Sequence, residues 1–171
     1  MRLIAAAAAI LVMVGVADAR TWRIRPGPEA EQALQTALIE ARPGDTVRLG
    51  RGRFELSSGL SLNVDRVTIR GEGQERSILS FDNQRRGAEG LLVTSDRVVL
   101  RDFAVENARG DAIKVRDCDY ITFQGVRAEW TRGPNPDNGA YGLYPVNCSN
   151  VLIRDSIARG ASDAGIYVGQ S

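Results

Sequence analysis

Ile121-Thr122-Phe123-Gln124-Gly125-Val126-Arg127-Ala128 is the stretch that decides the fold. Ile121 and Phe123 alternate with Thr122 and Gln124, the period of a strand with one buried face. Gly125 breaks the run, and Val126-Arg127-Ala128 begins a second short strand. The pattern recurs along the chain. Val67-Thr68-Ile69-Arg70, Val98-Val99-Leu100-Arg101 and Val151-Leu152-Ile153-Arg154 share one template: apolar, variable, apolar, polar. Phe103-Ala104-Val105 and Ile157-Ala158 follow two of these copies in the same way. A third kind of run comes before the next copy: Leu91-Leu92-Val93, Ile113-Lys114-Val115, Leu143-Tyr144-Pro145 and Ile166-Tyr167-Val168. The template copies start at residues 67, 98, 121 and 151, so the steps are 31, 23 and 30 residues. The shortest step is the bare unit, and the longer ones carry a loop.

Three short strands in each irregular period predict an all-β protein, a right-handed parallel β-helix with three-strand rungs. One coil cannot bury its apolar face alone, so coils stack at strand spacing, about 4.8 Å. Alternation then turns Ile113, Val115, Leu143, Ile166 and Val168 inward, and Lys114, Tyr144 and Tyr167 outward. The absence of helices between strands excludes a doubly wound α/β fold. A β-sandwich, the competing arrangement, calls for hairpin turns in place of repeated rungs. Ahead of the repeats, Pro28 to Ala41 reads as a short amphipathic helix. Pro28 suits its first position, Ala33, Leu34, Ala37 and Leu38 share a face, and Pro43-Gly44 stops it. Its expected task is to cap the open apolar end of the stack.

The first residues read as an export signal: Arg2, the apolar run Leu3 to Val16, then the small-x-small site Ala17-Asp18-Ala19. An uncleaved anchor is the rival reading, but the run is short for a full span. The chain divides into a signal over 1–19, a segment with the capping helix over 20–44, and the β-helix over 45–171. A periplasmic or extracellular location follows, with no membrane attachment after cleavage. Gly165 to Ser171 begins a new rung with no closing segment, so truncation at the C-terminus is expected. Net charge is +1, which offers no nucleic-acid footprint. With no histidine there is no His-based triad, base or zinc site. Lys114 is the only lysine.

Gly-Asp-Ala-Ile-Lys-Val at 110–115, Asn-Gly-Ala-Tyr-Gly-Leu-Tyr-Pro-Val-Asn-Cys at 138–148 and Gly-Ala-Ser-Asp-Ala-Gly-Ile-Tyr-Val-Gly-Gln-Ser at 160–171 carry a family likeness. They resemble the bacterial right-handed parallel β-helix repeat proteins of the pectin-lyase-like superfamily, from Pro43 to the end of the chain. The resemblance implies the fold and a sugar groove on the outer face of the sheet that holds Lys114. It does not imply one reaction, because pectate lyases, polygalacturonases and mannuronan epimerases share it with proteins of no demonstrated activity. The Asp-Pro-His motif of the epimerases and the paired aspartates of the polygalacturonases are absent.

The outward column Lys114, Tyr144, Tyr167 is the leading candidate for substrate contact. Tyrosines offer flat faces to sugar rings, or form a ladder that merely covers the sheet. Lys114 and Arg116 could neutralise a uronate carboxylate, with Tyr144 beside them as the third candidate catalytic residue. Asp111 and Asp163 border the same face at turns, as an acid–base pair, as calcium ligands, or as ordinary turn formers. The loop Thr131 to Ala140 is the largest insertion, with Asp137 and Asn138 as its polar candidates. Trp130, which opens it, either stacks on sugar or packs beneath the loop. Cys118 and Cys148 each stand three residues before a template copy, so neighbouring coils align them. They are either a disulfide or stacked free thiols. Two cysteines without histidine make a poor metal site, and no cofactor is expected. These readings converge on a secreted protein that binds or modifies an acidic polysaccharide in a lyase- or epimerase-like way. The alternative is a non-catalytic β-helix scaffold or accessory protein. Oligomeric state stays open.

Overall fold

The computed structural model describes residues 18–171; the expected export signal lies outside them, apart from Asp18 and Ala19. The chain is a parallel β-helix. In order, its elements are β1 (Thr21–Ile24), α1 (Ala30–Glu40), β2 (Thr46–Leu49), β3 (Gly52–Glu55), β4 (Ser58–Leu62), β5 (Thr68–Arg70), β6 (Ser77–Ser80) and β7 (Arg86–Val93). They continue with β8 (Val98–Arg101), β9 (Ala104–Glu106), β10 (Ile113–Gln124), β11 (Arg127–Glu129), β12 (Tyr141–Arg154), β13 (Ile157–Arg159) and β14 (Ala164–Ile166). Every strand pair is parallel.

The strands fall into a nine-stranded and a five-stranded sheet. The five-stranded sheet stacks β3, β6, β9, β11 and β13. The larger sheet is two ladders joined at a corner. One ladder runs β4, β7, the first half of β10, the first half of β12 and β14. The other runs β1, β2, β5, β8 and the second halves of β10 and β12. The sequence reading split β10 and β12 into separate strands. They are continuous because Cys118 and Cys148 keep pairing through the bend. The residues around them take the turn: Asp117, Tyr120, Asn147 and Asn150 all have left-handed backbone, with φ of 54°, 60°, 52° and 56°. Asp and Asn tolerate that region better than most side chains. Asn147 Nδ2 donates to Asp117 Oδ1 at 2.6 Å, and Asn150 Nδ2 to Asp119 Oδ1 at 2.7 Å, pinning one corner on the next.

The interior is a set of vertical columns. Leu60, Leu91, Ile113, Leu143 and Ile166 are successive register partners in the first ladder. In the second, Val47, Ile69, Leu100, Phe123 and Ile153 align. Phe54, Leu79, Val105, Ala128 and Ala158 face them from the five-stranded sheet. That last column shrinks from Phe to Ala, and the core narrows with it. A Cβ on Gly142 would lie 2.9 Å from the Ala158 Cβ and 3.3 Å from that of Ala128. Ile166 and Val168, expected inside, are 45% and 48% exposed, because among the described residues no coil lies over them.

Two further expectations need correction at the start of the chain. β1 already pairs with β2, so the first coil begins at Thr21 rather than at Asp45. The Asp45 carboxylate holds that coil, accepting Arg20 N–H at 2.8 Å, Arg42 N–H at 3.0 Å and Trp22 Nε1–H at 3.1 Å. Helix α1 starts at Ala30, so Pro28 precedes it, and Ala30, Leu34, Ala37 and Leu38 form its buried face while Ala33 is exposed.

The outer face of the five-stranded sheet holds a feature the sequence reading missed. Register aligns Glu55, Ser80, Glu106 and Glu129 in one column, with Arg53 and Arg127 in the next. Glu106 bridges both arginines, 2.5 Å from Arg53 Nη1 and 2.7 Å from Arg127 Nη2. Arg127 also pairs with Glu129 and, at 3.2 Å, with Glu75, and it donates to the Gln74 carbonyl. The side chains of Glu106 and Arg127 are 5% and 4% exposed. Desolvating such a pair costs nearly what its attraction returns, but stranding one partner is costly. Glu106→Ala should therefore lower stability by about 3 kcal/mol in urea unfolding. A loss below about 1 kcal/mol, the level of a surface pair, would show the network to be solvent-screened.

Candidate functional site

The outer face of the first ladder carries the column Ser61, Leu92, Lys114, Tyr144. Tyr167 continues it one coil on, its N–H donating to the Leu143 carbonyl at 3.0 Å. Alternation about Ile113 and Leu143, both fully buried, is what turns Lys114 and Tyr144 outward. Tyr141, at the start of β12, joins them and was not singled out from the sequence. Its ring centroid is 4.4 Å from that of Tyr144 and 5.1 Å from that of Tyr167, and Tyr144 and Tyr167 are 5.5 Å apart. The rings incline by 45°, 24° and 28°, so two of the three contacts are near-parallel. Coil spacing alone brings Tyr144 and Tyr167 together. Gly142 lets Tyr141 reach the same patch, since a side chain there would run into the Gly165 carbonyl at 2.4 Å.

One edge of this patch is charged. Lys114 Nζ lies 5.1 Å from the Tyr144 ring centroid, 3.5 Å from Asp111 Oδ2 and 3.9 Å from Glu89 Oε1. Glu89 was also missed; the signal was its register position one coil before Asp111, set by Leu91 pairing with Ile113. The sole lysine is thus shared between two carboxylates of the protein itself. Burial pushes the Asp111 carboxyl above its ordinary value of 3.8, and Glu89 adds to the rise, while Lys114 and the Tyr141 N–H oppose it. Asp163 stands on the other side of Tyr141. Its carboxylate, with a little desolvation, holds the Tyr141 phenol above its ordinary value of 10.0. The Asp111 carboxylate accepts from the Tyr141 N–H at 3.3 Å, and Asp163 is exposed. Among the described residues no three ligating side chains converge on a metal position.

The remaining candidates lie elsewhere. Arg116 is at the next outward position after Lys114, aligned with Val146, but its guanidinium pairs with Asp117 at 3.6 Å and is half exposed in the corner. Trp130 is 5% exposed and its indole N–H donates to the Ala108 carbonyl at 2.7 Å. It packs beneath the loop, so the sugar-stacking alternative is withdrawn. Asn138 is a clamp: its amide donates to the Gly133 and Gly160 carbonyls at 3.0 and 2.6 Å. Asp137 is exposed, and both residues line a separate shallow groove with Asp82, Asn107 and Arg132. The loop lies flat because Gly139 meets Gly110: a Cβ there would be 1.7 Å from the Gly110 carbonyl. Cys118 and Cys148 are buried register partners on neighbouring coils.

Asp111 generates a pH prediction. A carboxyl whose folded value is raised contributes fully below its unfolded value, and that contribution is lost as pH rises through the folded value. The stability difference between Asp111→Asn and the parent should therefore move in favour of Asn as pH rises above about 4. Thermal unfolding across that range checks it, and a difference that moves the other way would mean that Lys114 dominates.

No protein family and no curated protein matches the sequence. Solved structures do resemble the fold. A pectin methylesterase in complex with a hexasaccharide matches with a TM-score of 0.51 at 10% identity, over 80% of this chain and 53% of that one. A mutant pectin methylesterase with another hexasaccharide gives 0.50 at 11% identity, over 80% and 48%. The alginate lyase from Paenibacillus sp. str. FPU-7 scores 0.39 at 16% identity, over 88% and 75%, too low to add to the assignment. The chain spans about half the length of the two methylesterase structures. At such identities the likeness is one of fold, and it agrees with the parallel β-helix expected from the repeats.

Proposed function

We propose that the outer face built by Tyr141, Tyr144 and Tyr167 binds a polysaccharide, and that the first class to try is an acidic one. The observation that carries this reading is the three-ring cluster itself. Three large aromatic groups stand together on a rigid sheet, one of them 44% exposed, with a charged edge beside them. Flat aromatic faces with hydroxyl rims suit the apolar faces and hydroxyls of pyranose rings. Coil spacing sets the platform without loop closure, so little ordering cost falls on binding. Support from outside the chain is that proteins of this fold have been solved with bound hexasaccharides. For a uronate carboxylate, Arg116 is the more exposed cation, though each of the two is paired within the protein, Lys114 with Glu89 and Asp111 and Arg116 with Asp117. A polysaccharide ligand suits the exported location that Leu3 to Val16 points to.

A lyase- or epimerase-like reaction is the second reading, with Lys114, Arg116 and Tyr144 as its catalytic candidates. Asp111 favours it: a half-buried carboxyl that keeps its proton to higher pH, next to the platform, is a ready proton donor. Incubation with pectate and alginate, followed by ultraviolet detection of unsaturated ends and by sugar analysis, tests it. Unchanged polymer in every case leaves the binding scaffold alone standing.

The binding reading is tested by calorimetry or affinity electrophoresis against pectate, alginate and a neutral glucan. Tyr144→Ala and Tyr167→Ala should each weaken binding about 5- to 10-fold. Lys114→Ala should cost less than either, because its ammonium is engaged within the protein. Polysaccharide binding that survives both tyrosine substitutions unchanged would move the site away from this face.

A further inference from the structure

We infer that Cys118 and Cys148 are a redox pair that closes to a disulfide between adjacent coils. The two are direct register partners in β10 and β12. Adjacent parallel strands hold such partners about 4.8 Å apart, inside the Cα range of about 4.4–6.8 Å that disulfides span. Both side chains turn into the corner of the coil, 6% and 2% exposed. Cys148 Sγ sits 3.4 Å from the Val146 carbonyl of its own coil and 3.7 Å from the Val115 carbonyl of the coil that carries Cys118. The Cys148 thiol therefore already reaches the backbone of its partner's coil.

The surroundings make this contact reproducible. Each cysteine follows a left-handed residue, Asp117 or Asn147, and those two side chains are tied to one another. The same column holds serine on the outer coils. Ser171 Oγ accepts from the Cys148 N–H at 3.0 Å, and Ser95, one bare repeat before Cys118, is buried. Small polar side chains are thus sufficient to fill this corner, and sulfur appears only on the two adjacent coils that carry Lys114 and Tyr144. A bond here would lock those two coils in register beneath the tyrosine platform.

Closure removes two protons and two electrons from the thiols; a disulfide oxidant takes them and leaves as two thiols, while one S–S bond forms. Burial, and then the neighbouring Cys148, hold the Cys118 thiol far above its ordinary value, which suppresses the attacking thiolate in the closed coil. The bond is accordingly expected to form during folding in an oxidising compartment and to resist reductants afterwards.

The test is a thiol count on the full chain. Protein purified from an oxidising compartment, or refolded with oxidised glutathione, is unfolded, alkylated and weighed intact with and without prior reduction. The expected result is no alkylation before reduction, two alkylations after it, and a native mass about 2 Da below the dithiol value. The thermal midpoint should fall on reduction, and reductant should leave that of Cys118→Ser unmoved. Alkylation of both thiols in oxidised protein with native circular dichroism would overturn the inference. So would glutathione bound separately to either cysteine, or a cross-linked dimer through them.

Discussion

In-register pairing of parallel strands is the constraint on which everything else here rests. Each coil donates and accepts backbone hydrogen bonds only along the helix axis, so a residue's neighbours are its counterparts one coil away. A one-residue slip would send Ile113 and Leu143 to the solvent and Lys114 and Tyr144 into the core. The buried columns and the outward columns are therefore specified by one and the same register. The platform of tyrosines needs no device of its own; it is the other side of the apolar stack.

The two outer faces solve the problem of charge differently. On the five-stranded sheet, Glu106 and Arg127 are almost fully enclosed, with the Gln74–Glu75 segment laid against the arginine. Each charge there has a partner of opposite sign, as enclosure requires. On the first ladder, Lys114, Asp111 and Glu89 are only partly covered, and beside them Tyr141 and Tyr144 are half-buried and Tyr167 is exposed. One face is closed by its own ion pairs, whereas the other carries partly exposed aromatic surface beside a smaller ion-paired cluster. That contrast, more than any single residue, directs attention to the first ladder.

The corners are where side-chain chemistry replaces regular pairing. Left-handed backbone at Asp117, Tyr120, Asn147 and Asn150 turns the chain while β10 and β12 continue to bond. Two Asn–Asp contacts, from Asn147 to Asp117 and from Asn150 to Asp119, tie the corner of β12 to that of β10. The cysteines occupy the inner side of this corner, so their closeness is a product of the same geometry that positions Lys114 and Tyr144 a few residues upstream. Gly142 fits closely against Ala128 and Ala158 of the facing sheet, where a side chain would have no room.

Periodicity was sufficient to read the parallel β-helix, the alignment of Cys118 with Cys148, and the outward column of Lys114, Tyr144 and Tyr167. Those follow from alternation and from the spacing of similar segments, which are local properties of the chain. Only the tertiary structure decided that Tyr141 and Glu89 belong to the patch and that Trp130 and Asn138 do not. It also revealed the bridge from Glu106 to Arg53 and Arg127, and the exposure of Ile166 and Val168. The physical reason is the same in each case. Side-chain reach across coils and the cover given by the next coil depend on how far the corners bend and how wide the core is at that level. No alternation of residue types encodes either quantity.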